Sequence, residues 1–481
     1  MRKKDKILNY SAVIIVVELL FNIARLFQKT VWADECFTIE LVKNSVGKII
    51  EGTINDFHPP LYYLICKLFC SILGYHTIVF RIVSLIPVLI LAVYGFRWLA
   101  GKFNDLTGLI FASLVLMMPT SFYTIEIRMY SWAMLFITLF VFYMVDGVFY
   151  RDKKALYISV VWAICGAYSH YFALLVIAII YFWMIVKTAI QKKEDLKSLI
   201  LPIVICIAAY LPWIMIVIRQ MTGEKAYSMG INSVFYYMKP LAGFICIMFG
   251  TLRTISKLTI YEALLTVILC ILFFGSSLIY IIKNKKNTDN EVVLFRNILF
   301  LLIFTFAFVY LAGCAMDMMS HMFVARYLYP LAGIFYILFS IALGALIKDN
   351  AGLIRKICVV AGIVIVLFDF AKTLYDEISS DRKQEVVLDY INDSIGENDM
   401  IITDSRLYNW IVFEYYFGDV KYTLSTDQEA INQEAGKYDG TVYYIHNTND
   451  GSVDDPGKDW EYVLTSELGE NEMVLYKFVG A

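Results

Sequence analysis

The chain has 481 residues, 59% hydrophobic, 16% aromatic and 17% charged, with a mean hydropathy of +0.65. Soluble globular domains carry about 25% charged residues, so an ordinary soluble protein is excluded and a polytopic membrane protein is indicated; nucleic acid is not expected as a partner. The net charge of −2 hides an asymmetry: from residue 376 onward 7 Lys and Arg stand against 23 Asp and Glu, which marks an acidic, water-soluble tail.

Apolar runs predict membrane spans near 7–27, 78–98, 106–119, 131–149, 155–169, 171–187, 199–218, 259–282, 294–313, 327–347 and 355–374. That is about eleven by the ~20-residue criterion. The basic start, Arg2-Lys3-Lys4, is followed by no small-residue cleavage site, so the first run reads as a retained helix. Alternate loops are basic: Arg97/Lys102, Arg151/Lys153/Lys154, Lys187/Lys192/Lys193/Lys197, Lys283/Lys285/Lys286/Arg296 and Lys348/Arg355/Lys356. The positive-inside rule then puts the N-terminus in the cytoplasm and the tail outside it. Residues 60–74 are apolar but short and contain Lys67; counting them as a span would break the alternation. They read as a helix lying in the outer interface or dipping back, with His58 at its start and Pro59-Pro60 fixing its first turn.

The expected domains are therefore 1–375, a transmembrane domain with an external loop 28–77, and 376–481, a small extracytoplasmic α/β domain. In the tail, 384–395, 407–417 and 428–435 read as helices; 400–404, 441–446 and 473–478 read as strands; 447–458 reads as a polar loop. The nine cysteines form no CxxC or Cys/His metal spacing and read as small hydrophobes.

The topology collects ionisable residues on the outer face: Asp34, Glu35, Asp56, His58, Glu126, Arg128, His170, Asp317, His321 and Arg326, with the hydroxyls of Tyr130, Tyr171 and Tyr327. Such groups at a membrane edge are costly unless they serve each other or a ligand. Singly, each reads as an ordinary polar loop residue; as a set in short loops, they fit group transfer from a lipid phosphate. A carboxylate there takes a proton from an acceptor hydroxyl, and an arginine or protonated histidine holds a departing phosphate.

Trp32-Ala33-Asp34-Glu35, then His58-Pro59-Pro60-Leu61-Tyr62-Tyr63-Leu64, then Phe80-Arg81-Ile82-Val83-Ser84 resemble the GT-C membrane glycosyltransferases. More narrowly they resemble the superfamily of protein O-mannosyltransferases and lipid A aminoarabinose transferases, glycosyltransferase family 39-like. Pro119 with Glu126-Ile127-Arg128-Met129-Tyr130, Ser169-His170-Tyr171 and Ala325-Arg326-Tyr327-Leu328-Tyr329-Pro330 extend the match over roughly residues 1–345.

The resemblance implies a polyprenyl-phosphate-sugar donor, inversion at the anomeric carbon, and Asp34 as catalytic base beside Glu35. Glu35 also reads as a helix N-terminal carboxylate. His58, Arg128 and Arg326 are the expected donor-phosphate contacts, with Asp56, Tyr62, Glu126, Tyr130, His170, Tyr171 and Tyr327 around the donor and acceptor cavity. His58 reads alternatively as a helix cap, Glu126–Arg128 as a bare loop salt bridge, His170-Tyr171 as an interfacial anchor, and Arg326 as a snorkelling side chain. Asp56 is open between a second acid, a weak metal ligand and loop solvation. Some enzymes of this class use a divalent metal, and no ligand set here demands one. The function expected is a lipid-phosphate-dependent hexosyl or pentosyl transferase in the plasma membrane, acting on an extracytoplasmic glycan, lipid or protein. A lipid-linked sugar transporter and a membrane scaffold are the alternatives; the first usually shows repeated halves, and none is found.

Overall fold

The computed structural model describes residues 15–27, 31–56, 58–117, 120–191, 196–222, 234–249, 284–320, 323–348, 398–404, 421–448, 451–468 and 471–480. It also describes scattered helical positions between 268 and 282 and single positions at 371, 375, 390, 393–396 and 415. The predicted span 355–374, most of 259–282, most of the tail helices 384–395 and 407–417, and His321 lie outside the described residues.

In chain order the helices are α1 (15–25), α2 (Ala33–Lys43), α3 (Val46–Asn55), α4 (Leu61–Leu73), α5 (Thr77–Lys102), α6 (Asp105–Met117) and α7 (Thr120–Ile125). They continue with α8 (Tyr130–Phe149), α9 (Lys153–Ala167), α10 (Tyr171–Gln191), α11 (Leu196–Thr222), α12 (Val234–Phe249) and α13 (Asn290–Ser320). A 3-10 turn, Ala325–Leu331, runs into α14 (Ala332–Lys348), and α15 (Gln428–Ala435) lies in the tail with β1 (Met400–Thr403), β2 (Lys421–Leu424), β3 (Val442–Asn447), β4 (Trp460–Leu468) and β5 (Asn471–Phe478). Contacts divide the chain into two compact units. One is Met1–Leu26, Ser45–Gly74 and Ile78–Thr373; the other is Phe27–Asn44, Tyr75–Thr77 and Leu374–Ala481.

Among the described residues of the first unit, six helices are long and apolar enough to cross a membrane: α5, α8, α10, α11, α13 and the continuous stretch Ala325–Ala345. The chain is a polytopic α-helical membrane protein. The predicted spans 106–119 and 155–169 appear as α6 and α9, of 13 and 15 residues. Residues 60–74 form α4, whose 13 residues give roughly 20 Å of helix against a hydrocarbon core of about 30 Å. α12 is a helix that the sequence reading left inside a loop; Pro240 in its middle interrupts the apolar run.

Burial ranks the spans. The stretch Ala325–Ala345 has 83% of its apolar window inside the protein, while α11 has 17%. The last described span is thus the central post and α11 faces lipid. Backbone closeness makes this possible: a Cβ at Gly333 on α14 would stand 1.8 Å from Thr138 Oγ1 on α8. Polar rungs tie the first helix in as well. Glu18 accepts from Ser113 Oγ at 2.8 Å, and Asn22 bonds the Leu116 carbonyl (3.0 Å) and Thr124 Oγ1 (2.9 Å).

In the second unit the tail folds as the predicted α/β domain. Its sheet order is β2-β1-β3-β5-β4; β1 is parallel to β2 and β3, and β5 is antiparallel to β3 and β4. Asp427 caps α15 by accepting the Ala430 N–H at 3.0 Å, and Ile431 and Ala435 pack with Ile402, Val442, Tyr444, Val453 and Trp460 as the core. At the carboxyl ends of β1 and β3, buried Asp404 accepts from Val453 N–H (3.0 Å) and Asn447 N–H (3.3 Å) and lies 2.8 Å from His446 Nδ1. Removing a buried acceptor of several donors costs about 3 kcal/mol. Asp404→Ala is therefore expected to lower the denaturant midpoint of the tail, followed by Trp460 fluorescence, while a surface control such as Glu429→Ala leaves it unchanged.

Candidate functional site

The predicted site residues fall in both units. Asp34 and Glu35 occupy the first turn of α2, in the second unit. Glu35 is buried and its Oε2 accepts the Trp32 N–H at 3.2 Å, closing the turn as an N-terminal carboxylate. Asp34 is half-buried, and its carbonyl accepts from Thr38 Oγ1 at 3.0 Å.

The first unit gathers a polar cluster between α3, α4, α8, α10 and the 3-10 turn. The start of α4 is fixed by Pro60 and by the Leu61 N–H, which donates to the Tyr168 carbonyl at 3.0 Å. This brings His58 beside the α9–α10 junction, where its ring centroid lies 5.8 Å from that of His170. His58 Nδ1 is 3.2 Å from Asp56 Oδ2 and 3.3 Å from Arg128 Nη2. Arg128 Nη1 donates to Tyr63 Oη at 3.3 Å, and that hydroxyl stands 3.5 Å from Asp56 Oδ2. Arg128 is 4% exposed. The Glu126 carbonyl accepts the Arg128 N–H at 2.7 Å, and the buried Glu126 carboxylate acts electrostatically on Tyr130 and Tyr329.

His170, 2% exposed, is the centre of the cluster. Tyr327 and Tyr130 rings lie 5.4 and 5.8 Å away. Its Nδ1 accepts the Phe172 N–H at 3.1 Å, which leaves the proton on Nε2. Nε2 is buried and meets no acceptor among the described residues. Burial first, then the electrostatic influence of His58, Arg128 and Arg326, holds the His170 imidazole well below its ordinary range, so it is a neutral N–H donor. The cluster sets one orphan N–H donor with two guanidinium groups, a second imidazole and the carboxylates of Asp56 and Glu126, an arrangement able to receive an anion. Among the described residues, no three His, Cys, Asp or Glu side chains group as metal ligands.

Two predicted residues direct their hydroxyls to partners within the chain. Tyr62 turns its hydroxyl to Ser84 Oγ (2.9 Å), joining α4 to α5, and it is Tyr63 that faces Arg128. Tyr171 Oη accepts from Trp213 Nε1 at 3.1 Å and donates to Gln220 Oε1; Gln220 Nε2 in turn donates to the carbonyls of Thr53 (2.9 Å), Ile54 (3.0 Å) and Asp56. Gln220, which the sequence did not single out, thereby clamps the open end of α3 and positions Asp56.

The bundle of apolar helices with a C-terminal α/β domain is the GT-C fold of membrane glycosyltransferases, as the motifs implied. Two solved structures share it: ArnT from Cupriavidus metallidurans in the apo state (TM-score 0.57, 10% identity) and ArnT bound to undecaprenyl phosphate (TM-score 0.57, 12% identity), each alignment covering 98% of both chains. No family model matches the chain, and no curated protein matches it in sequence.

The neutral state of His170 has a consequence for stability. The folded state keeps it unprotonated, while the unfolded chain binds a proton below about pH 6.5. Its contribution is fully present above that pH and is lost as pH falls. Stability between pH 6 and 5 is expected to fall less steeply in His170→Gln, by up to ~1.4 kcal/mol per pH unit, measured by thermal unfolding in detergent. Parallel pH slopes for parent and variant would contradict this reading.

Proposed function

We propose that the chain is an inverting glycosyltransferase of the plasma membrane. It moves a monosaccharide, hexosyl or pentosyl, from a polyprenyl-phosphate donor to a hydroxyl of an extracytoplasmic glycan, lipid or protein. The observation that carries this reading is the buried His170 Nε2–H, unsatisfied among the described residues and ringed by Arg128, His58 and the field of Arg326. A phosphate oxygen satisfies that donor and neutralises those charges together. The GT-C fold supports the same donor class, since ArnT has been crystallised with undecaprenyl phosphate.

In the proposed reaction Asp34 accepts the proton of the acceptor hydroxyl. The oxygen attacks the anomeric carbon from the face opposite the phosphate, and the carbon–oxygen bond to phosphate breaks with its electron pair going to the phosphate oxygen. Arg128 and His58 are aimed at the charge that develops there, where preorganised donors lower a barrier most. Asp56 orients His58 and Gln220 holds Asp56. The N-terminus is cytoplasmic and the tail extracytoplasmic in this reading, so the donor is taken from the outer leaflet.

The test is purified protein in liposomes with a labelled polyprenyl-phosphate sugar and cell-envelope acceptor extract. Covalent transfer of label supports the reading; movement of intact donor across the bilayer without transfer points to a lipid-linked sugar transporter. Asp34→Asn is expected to lower turnover ~10²–10⁴-fold while donor binding stays near the parent value, and normal turnover would sink the mechanism. Arg128→Gln is expected to weaken donor binding by ~10–100-fold, as loss of a buried charge-assisted pair does. Gln220→Ala is expected to cut turnover about tenfold through misplacement of Asp56, with KM for the acceptor unchanged.

A further inference from the structure

A second group of cations lies at the other end of the bundle. α8 and α10 both begin at the His170 cluster, at Tyr130 and Tyr171. α13 finishes near it: Asp317 Oδ1 accepts the Phe323 N–H at 2.7 Å, and the Phe323 ring stacks on Phe172 at 5.5 Å. The far ends of these helices carry Phe149, Lys187 and Arg296. Lys187 is sixteen residues along α10 from Tyr171, about 24 Å at 1.5 Å per residue.

Lys187 is in an unusual position for an ammonium. Its Nζ lies 4.1 Å from the centroid of the Phe149 ring and 4.6 Å from that of Trp183, is closed to water, and meets no hydrogen-bond acceptor among the described residues. Three N–H donors are left unmet, and ring faces replace them only in part. The charged group whose field reaches Lys187 is Arg296, itself positive. Among the described residues neither side chain pairs with a carboxylate. Among the described residues no acid stands with these two basic side chains, so an anion from outside the chain can pair with them. The surroundings say which phase supplies it: Phe182, Val186 and Ile190 on the adjoining stripe of α10 are all exposed, an apolar surface that faces lipid. Arg151, Lys153 and Lys154, in the α8–α9 connection at the same end, are exposed and add positive charge.

We propose that Lys187 and Arg296 bind the phosphate of an anionic phospholipid headgroup, seated where the ends of α8, α10 and α13 meet. The site is separate from the donor cluster and does not depend on the transferase reading. Basic clefts between spans are a recurring way of holding such headgroups.

The test uses the full-length protein in nanodiscs of phosphatidylcholine alone or with phosphatidylglycerol, reading retained lipid by native mass spectrometry and melting temperature. The parent is expected to retain phosphatidylglycerol and to melt several degrees higher with it. Lys187→Met with Arg296→Gln is expected to weaken retention ~30-fold, from two basic contacts near the membrane surface. The charge-keeping pair Lys187→Arg with Arg296→Lys is expected to keep the lipid. Unchanged retention in the neutral pair overturns the proposal. If that pair does not fold, Arg296→Gln alone decides: about fivefold weaker retention supports the site, and none overturns it. Inorganic phosphate added to phosphatidylcholine nanodiscs is expected to leave the melting temperature unmoved; an equal rise with phosphate would assign the site to a soluble anion and overturn the lipid assignment.

Discussion

Keeping a guanidinium and two imidazoles out of water at the end of an apolar bundle is the constraint that the first unit is arranged around. A buried charge left without partners costs several kcal/mol, so each group around Arg128 and His170 has a place. Tyr63 and His58 receive the two Arg128 nitrogens, and Asp56 supplies the carboxylate beside both. Asp56 is held from behind by the Gln220 amide, which also covers the carbonyls that α3 leaves open. The central post, Ala325–Ala345, brings Tyr327 against His170 and carries Arg326, whose charge reaches it. Change in any one of these is transmitted to a charge that cannot reach solvent.

The second unit solves a different problem at the carboxyl ends of its parallel strands. Open α/β sheets leave a crevice there, between neighbouring strands whose connections run in opposite directions. β1 and β3 meet at such a place, yet the crevice is filled by the chain itself. Asp404 gathers His446, Asn447 and Val453, and Tyr444 Oη donates to the Val453 carbonyl at 2.8 Å. A Cβ at Gly451 would come within 2.4 Å of the Asp404 carboxylate, which shows how closely the loop is drawn in. The acidic domain is knitted shut where related architectures open.

What the sequence made legible follows from signal strength. Long apolar runs announced α5, α8, α10, α11, α13 and α14, because bilayer length imposes a threshold that composition alone can meet. His58-Pro59-Pro60 announced the start of α4, since two prolines fix where a helix begins. Side-chain direction was less accessible. Tyr62 and Tyr63 are neighbours about 100° apart around a helix, and only the packing of α4 on α5 decides which one meets Arg128. Gln220 is a polar residue at the end of a lipid-facing helix, and no local pattern distinguishes a clamp from a headgroup contact. The two strands missed in the tail, β2 and β4, are the two edges of the sheet. Edge strands bury less, and β4 carries Glu461, Thr465, Ser466 and Glu467 with a register shift between Tyr462 and Leu464. Its alternation is correspondingly faint.

His58 Nδ1 lies within hydrogen-bond reach of both Asp56 and Arg128. A single ring nitrogen holds a proton or a lone pair, and the two bonds need opposite choices. Bonded to Arg128, it must be bare; bonded to Asp56, it must be protonated. The choice between the two bonds is therefore a choice of tautomer: Arg128 keeps the ring proton on Nε2, and Asp56 draws it to Nδ1.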